Sequence, residues 1–177
     1  LLSRGLGMCI RDRYKSLEAA KKNNVPMLID ADGLNLLPKF IKKLPLPKKI
    51  VLTPHVGEAS ILLNTSKEKI KKNRVLSAKR ISKKYSAVVV LKGENSIICW
   101  KDNYFICEKG NAGMATGGMG DVLSGIISSF IAQKMTLLDA ACLGVELHAE
   151  AADEYSEAVG INSLTPTDVL DIIKELI

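Results

Sequence analysis

Apolar and polar positions follow one another in blocks that predict strands and helices in turn. Three short apolar runs are typical of strands that are buried on both faces, and they are Pro26–Ala31, Ile50–Thr53 and Ala87–Leu91. A strand hairpin is predicted after them, with Ser96–Trp100 and Tyr104–Cys107 joined by a turn at Asp102-Asn103.

Most of the remaining chain has apolar residues three or four positions apart, as expected of helices with one buried face. The predicted helices are Asp12–Asn24, Gly57–Asn64, Asn73–Tyr85 and Asp121–Gln133, then one capped by Thr136 and one that begins at Thr165–Asp168. Because strands alternate with helices, we predict an α/β fold in which a mostly parallel central sheet is flanked by helices.

Charge is distributed unevenly along the 177 residues. Residues 1–138 contain 24 basic and 10 acidic side chains, whereas residues 139–177 contain 1 basic and 9 acidic ones. A basic body favours anionic partners, either nucleic acid or phosphorylated small molecules. The densest basic stretch, 67–84, is predicted to be a helix with a solvated basic face. Its buried stripe would consist of Ile70, Leu76, Ala78, Ile81 and Tyr85. No nucleic-acid-binding motif accompanies it, so we do not expect nucleic acid as a partner.

Several other classes of protein are disfavoured by what the chain contains. No apolar run approaches the length needed to cross a bilayer, and no export signal is visible, so no membrane partner is expected. The four cysteines lack Cys-x-x-Cys spacing, which argues against a protein-built metal site. Cys99 and Cys107 are predicted to be small apolar fillers in strands, and His148 a packing residue between helices. These features favour a cytoplasmic location.

The strongest chemical signal is the glycine-rich stretch Gly110–Asp121, which precedes an apolar helix. Glycine lets backbone N–H groups approach a ligand, and a helix N-terminus adds unpaired N–H groups and partial positive charge. Together they predict a phosphate site. Asp121 stands near the start of that helix, where it would either accept a proton from a substrate hydroxyl or merely cap the helix.

Polar segments also follow each of the three predicted parallel strands. They are Asp30–Asn35, Thr53–Glu58 and Lys92–Ser96. Ligands of parallel α/β sheets bind beyond the carboxyl ends of strands, so these segments and the glycine-rich stretch predict a nucleotide or phosphate cleft. Asp32 would take part or simply cap the next helix. His55 would contact a ligand or lie in solvent, and Lys92 would bind a phosphate or form a plain turn.

In this order, these segments resemble the ADP- or ATP-dependent NAD(P)H-hydrate dehydratases, a branch of the ribokinase-like superfamily. The resemblance begins at 5–7 and continues through DADGLNLL (30–37), LTPHVGEASILL (52–63) and VVVLKGENS (88–96). It is sharpest at GNAGMATGGMGDVLSGII (110–127). Residues 1–177 resemble the C-terminal two-thirds of that family's domain, which implies an N-terminally truncated ribokinase-like fold.

The resemblance implies an activity and a set of site residues. The family uses ADP or ATP to phosphorylate the hydroxyl of hydrated NADH or NADPH, (6S)-NADHX or (6S)-NADPHX. Loss of phosphate then restores the reduced cofactor, and AMP is the by-product when ADP is used. Asp121 would be the base, and Gly7 and His55 would contact the hydrated dinucleotide beside it. Nucleotide would be held by Lys92, Gly93, Glu94, Asn95, Ser96 and Gly120. The histidine at 55 is similar to the ADP-using branch.

Further implications concern partners and alternatives. Mg²⁺ would accompany the nucleotide, held by phosphates and water, and the chain would form a homo-oligomer, as tetramers are frequent in the family. One alternative is a ribokinase-like kinase for a vitamin precursor, which would stop at the phosphorylated product. Another is a catalytically incomplete nucleotide-binding fragment.

Overall fold

The computed structural model describes residues 15–41 and 46–176, and the structural statements below refer to these residues. The strands are β1 (Met27–Ile29), β2 (Ile50–Leu52), β3 (Val88–Leu91), β4 (Ser96–Trp100) and β5 (Asn103–Cys107). The helices are α1 (15–22), α2 (Asp32–Phe40), α3 (Val56–Leu63), α4 (Lys67–Lys72), α5 (Arg74–Tyr85), α6 (Met119–Ala132), α7 (Leu137–Ala158) and α8 (Pro166–Leu176). Short 3₁₀ turns lie at Ala112–Met114 and Ile161–Ser163.

The five strands form one mixed sheet in the order β1-β2-β3-β4-β5. The first three are parallel, with Leu28 opposite Val51 and Val51 opposite Val88. The last two form the predicted antiparallel hairpin on β3. The predicted α/β class is therefore confirmed, with its parallel part in β1–β3.

Helices cover both faces of the sheet, which explains why the strands are apolar throughout. On β3, Val89 and Leu91 belong to a core with α2, α3 and α5, whereas Val88 and Val90 belong to a core with α6 and α7. All four side chains are almost completely buried, and each contributes about 1.5–3 kcal/mol of hydrophobic stabilisation. A strand buried on both faces has no polar side to alternate with its apolar one.

The basic stretch 67–84 differs from its prediction. It forms two helices, α4 and α5, separated at Asn73, whose φ of −141° and ψ of 65° are not helical. Ile70, Ala78, Ile81 and Tyr85 are buried as predicted, but Leu76 is 53% exposed, so its assignment to the buried stripe was wrong. Leu76 lies two positions before Ala78 in the same helix, about 200° around the helix axis, and therefore on a different face from Ala78, Ile81 and Tyr85.

Smaller boundary differences occur at the hairpin and at α6. The hairpin turns at Lys101-Asp102, one residue earlier than predicted, with Lys101 in the left-handed region at φ 57°. Helix α6 begins at Met119, two residues before the predicted start. The Thr136 cap is confirmed, and so is the start of the last helix within Thr165–Asp168, since α8 begins at Pro166. Within the described ranges no helix combines the length and apolar character required to cross a bilayer.

Candidate functional site

The carboxyl ends of β1, β2 and β3 are hydrogen-bonded to one another. Thr53 N donates to Ile29 O at 3.3 Å, and Lys92 N donates to Pro54 O at 2.8 Å. Thr53 is completely buried at this junction, and its hydroxyl also donates to Ile29 O. The polar segments that follow the three strands therefore start from one edge, as the parallel order requires.

An ion pair joins two of these segments. Lys92 Nζ lies 2.8 Å from Asp30 Oδ1, and the two side chains are only 21% and 15% exposed. The Ser124 hydroxyl of α6 donates to Asp30 Oδ2 at 3.2 Å. Asp30 thus connects the ends of β1 and β3 to α6. Sequence analysis placed Asp30 in a strand-end segment but assigned it no role; its position directly after an apolar strand was the available signal.

The first turn of α6 lies against this ion pair. A Cβ atom on Gly120 would be 3.4 Å from Lys92 Nζ and 3.5 Å from Asp30 Oδ2, which is ordinary van der Waals contact. The absence of a side chain at Gly120 therefore leaves room beside the ammonium group and does not relieve a clash. Lys92 and Gly120, both predicted to bind nucleotide, lie next to each other.

The start of α6 has the features of an anion site. Gly118 precedes the helix with φ 97°, a left-handed conformation that favours glycine. The N–H groups of Gly120 and Asp121 have no hydrogen-bond partner among residues 15–41 and 46–176. A Cβ atom on Gly117 would meet no atom of those residues within 4 Å, so the position is open. Unpaired N–H groups and the helix dipole at an open position can receive a phosphate.

Asp121 is the third residue of α6, and it is exposed. The helix is capped by Gly118 without a side-chain hydrogen bond, so the capping alternative for Asp121 finds no support in the geometry. Within the described part of the chain its carboxylate makes neither a hydrogen bond nor an ion pair. An exposed carboxylate at this position can accept a proton from a bound hydroxyl group.

The loop Lys92–Ser96 is shaped by a residue that sequence analysis missed. The Arg74 guanidinium of α5 donates to Leu91 O at 3.2 Å and to Glu94 O. Gly93 and Asn95 have positive φ values, 142° and 53°, and the Ser96 hydroxyl donates to Gly93 O. Burial lowers the pKa of Arg74, while Glu94 acts in the opposite direction. One arginine in a lysine-rich stretch gives no local signal of such a role.

His55 is an exposed residue directly before α3, and it caps that helix. Its Nδ1 accepts hydrogen bonds from Gly57 N (2.9 Å) and Glu58 N (3.2 Å), which makes it the N-cap of α3. Buried Glu58 completes a capping box by accepting from His55 N at 2.8 Å. The imidazole remains 59% exposed, so it caps the helix and still presents one edge to a ligand.

We expect His55→Ala to lower the free energy of unfolding by about 1 kcal/mol, because the N-cap acceptor is lost. His55→Ser should recover most of that loss, since serine is a favoured N-cap residue. Urea denaturation of the three proteins measures the difference. Equal stability of the alanine and serine variants would contradict the capping role. If His55 also contacts ligand, both variants should lose the same affinity.

Other candidate reactive groups are buried and inert. His148 is 5% exposed on α7, and burial lowers its pKa to about 4, with a backbone hydrogen bond to Met119 opposing the shift. Its predicted packing role between helices is confirmed. Burial raises the pKa of Cys99 and of Cys107 to about 11, so both thiols stay protonated at neutral pH. Both cysteines are buried in strands, as predicted.

The last features of the site concern Gly7 and a divalent cation. Gly7, predicted to contact the hydrated dinucleotide, lies outside the described residues. Among the described residues, no group of three or more histidine, cysteine, aspartate or glutamate side chains is arranged to hold a metal ion. A divalent cation at this site would therefore take most of its ligands from phosphate and water.

Comparison with known proteins gives consistent results. A family model described as NAD(P)H-hydrate dehydratase matches residues 2–175. The chain is 40% identical over 177 residues to the bifunctional NAD(P)H-hydrate repair enzyme of Coxiella burnetii, an alignment that covers 98% of this chain and 35% of that protein. It is 41% identical over 140 residues to the ADP-dependent (S)-NAD(P)H-hydrate dehydratase of Neisseria meningitidis, covering 77% of this chain and 47% of that protein.

A solved structure with a similar fold is the ADP/ATP-dependent NAD(P)H-hydrate dehydratase from Bacillus subtilis, co-crystallised with ATP/Mg²⁺ and soaked with CoA. It aligns with a TM-score of 0.77 at 27% identity, covering 86% of this chain and 56% of that one. The chain thus spans only part of the length of the proteins it resembles, from 35% to 56% in these three alignments.

Proposed function

Because this chain belongs to the NAD(P)H-hydrate dehydratase family, we propose that it takes part in the ADP-driven conversion of hydrated NADH or NADPH back to the reduced cofactor. The substrate carries a hydroxyl group on its nicotinamide ring, and the products are the reduced cofactor, AMP and phosphate. Residues 1–177 would form part of one ribokinase-like dehydratase domain.

The observation that carries the proposal is the meeting of Lys92 with the first turn of α6. An ammonium group lies beside Gly120, the N–H groups of Gly120 and Asp121 have no partner among the described residues, and the Asp121 carboxylate is exposed. This arrangement supplies positive charge for a phosphoryl group and a proton acceptor one residue away. Phosphoryl transfer requires positioned charge and a positioned nucleophile, and few other protein groups.

The proposed reaction has two stages. In the first, Asp121 accepts the proton of the ring hydroxyl, whose oxygen attacks the β-phosphorus of ADP. The bond from that phosphorus to the bridging oxygen breaks, and AMP leaves. In the second, the ring nitrogen lone pair forms a C=N bond as the C–O bond to phosphate breaks. Loss of a proton from the neighbouring carbon then restores the reduced ring.

The loop 92–96 is the proposed nucleotide-binding segment. Arg74 donates to Leu91 O, just before the loop, and to Glu94 O within it, while Gly93, Glu94 and Asn95 stay exposed. Mg²⁺ bound with the nucleotide would supply neutralisation of phosphate charge. We propose ADP as the donor because His55 is similar to the ADP-using branch, and the Neisseria meningitidis relative is named ADP-dependent. ATP is the alternative donor.

We further propose a cytoplasmic homo-oligomer, with a tetramer as one form. Free thiols at Cys99, Cys107 and Cys142 are consistent with a reducing compartment. The outer strand β5 exposes Tyr104, Phe105 and Ile106, by 44–51% each, which is apolar surface suited to contact with another subunit.

Recovery of absorbance at 340 nm tests the activity directly. We expect this chain, supplied with hydrated NADH, ADP and Mg²⁺, to restore the reduced cofactor and to release one AMP per turnover. A vitamin-precursor kinase would give no recovery and would instead phosphorylate a thiazole or pyrimidine alcohol. ADP binding in calorimetry without any recovery would contradict the dehydratase proposal and favour a nucleotide-binding fragment.

A further inference from the structure

The glycine-rich segment 110–118 contains few features that would fix its own conformation. All of its residues are exposed or half-buried. Two of its glycines, Gly110 and Gly118, have positive φ, near 100° in each case. A segment of this kind keeps one conformation only if contacts with the rest of the fold fix it.

The first end of the segment is hydrogen-bonded to α7. Gly110 N donates to Asp153 Oδ2 at 2.7 Å, and Asn111 Nδ2 donates to Asp153 Oδ1 at 2.8 Å. Both oxygens of one carboxylate therefore bind consecutive residues of the segment. Hydrogen bonds to an ionised group are stronger than bonds between neutral groups.

Asn111 makes three further hydrogen bonds that extend the attachment along the segment. Its Nδ2 also lies 3.0 Å from Ala152 O and from the Ser156 hydroxyl oxygen, so the acceptors around it occupy little more than one turn of α7. Its Oδ1 accepts from Gly113 N at 3.0 Å, which starts the short turn Ala112–Met114. A Cβ on Gly113 would lie 2.5 Å from Ile161 O, so this turn also packs tightly.

The second end of the segment contacts the same helix. His148, one turn before Ala152 on α7, is buried, and the backbone of Met119, the first residue of α6, is close enough to oppose the lowering of its pKa by burial. Its Nε2 has no partner among the described residues. Helices α6 and α7 approach closely beyond it, since a Cβ on Gly144 would lie 2.6 Å from Ile127 Cγ1. The contact leaves little freedom for one helix to slide along the other.

We propose that α7 is a rigid strut that sets the separation between the two ends of the glycine-rich segment, with Asp153, Ser156 and His148 as positioning residues. From His148 to Ser156 the helix rises about 12 Å. Helix α7 thereby determines where the N–H groups of Gly120 and Asp121 lie. The inference deepens the proposed function and rests on it, because the loop matters to catalysis only if it binds phosphate.

The decisive variant is Asp153→Ala, with Glu154→Ala as its matched control. Glu154 is an exposed acid on the next position of the same helix, so the control removes the same charge without touching the segment. In Asp153→Ala, amide hydrogen exchange should accelerate across 110–120 and stay unchanged in β1–β3. The Kd for ADP should rise about tenfold, with a smaller rise in Ser156→Ala. Asp153→Asn keeps one acceptor oxygen. Its exchange rates across 110–120 and its Kd for ADP should lie between those of Asp153→Ala and those of the unmodified chain.

Hydrogen exchange across 110–120 and the Kd for ADP distinguish failure of the strut from failure of the proposed function. Unchanged exchange across 110–120 in Asp153→Ala would overturn the strut. Faster exchange with unchanged ADP affinity would also overturn it, because Asp153 would then stabilise the fold without positioning the site. If the unmodified chain binds no ADP, the proposed function fails, and the exchange pattern alone decides whether α7 holds the segment.

Discussion

Asp121→Asn is expected to reduce turnover of hydrated NADH by about 10²–10⁴-fold, the range for loss of a positioned general base, with nearly unchanged affinity for ADP. Asparagine keeps the size of the side chain and removes its ability to take a proton. The carboxylate makes no hydrogen bond within the described residues, so its loss should leave the loop intact. Recovery at 340 nm and calorimetry with ADP measure the two quantities.

Asp102→Asn is the control for this experiment. Asp102 is an exposed aspartate in the hairpin turn, at the opposite edge of the sheet from Lys92, and it pairs with Lys83 at 2.6 Å. Its replacement removes the same charge and should change neither the turnover of hydrated NADH nor the affinity for ADP. Equal losses of turnover and ADP affinity in Asp121→Asn would assign Asp121 a role in binding, and unchanged turnover would remove it from the mechanism.

Lys92→Met is expected to raise the Kd for ADP about 10–100-fold, because the phosphate loses a charge-assisted hydrogen bond worth about 1.5–3 kcal/mol. The substitution also leaves Asp30 without its cation in a mostly buried position, so thermal stability should fall as well. Lys92→Arg keeps the charge and should have an intermediate Kd, which separates loss of binding from loss of stability. Calorimetry and thermal unfolding measure both effects.

Lys83→Met provides the comparison for Lys92→Met. It also breaks an ion pair, with Asp102, but at an exposed position where such pairs contribute little. We expect neither its stability nor its ADP affinity to change appreciably. If Lys92→Met binds ADP as tightly as this control, Lys92 serves only to neutralise Asp30.

The sequence predicted those features of the site that follow from the parallel direction of the strands. Parallel strands end at one edge, so apolar runs followed by polar segments indicated that Lys92 and the glycine-rich segment share that edge. The contact between Lys92 and Gly120 agrees with this prediction. The binding and catalytic roles assigned to Gly7, His55, Gly120, Asp121 and loop 92–96 all stay predictions, since they depend on a bound ligand.

The contacts that organise the site were not predictable in the same way. Asp30 with Lys92, Arg74 with Leu91 O, and Asn111 with Asp153 join positions 17 to 62 residues apart. Local periodicity carries no information about such pairs, which depend on how the elements pack. Leu76 was misplaced for a different reason, because it is apolar but lies two positions from Ala78 and so on another face of α5.

The capping role of His55 also restricts what that residue can do to a ligand. Two backbone N–H groups point at Nδ1, so this nitrogen carries no proton, and the neutral ring must be the Nε2–H tautomer. Nε2 also lies 3.5 Å from Glu58 Oε1. A ligand that reaches His55 therefore meets an N–H beside a carboxylate, and no lone pair, for as long as α3 remains capped. The histidine is suited to recognise a carbonyl, hydroxyl or phosphate oxygen, which agrees with the proposal that Asp121 accepts the substrate proton.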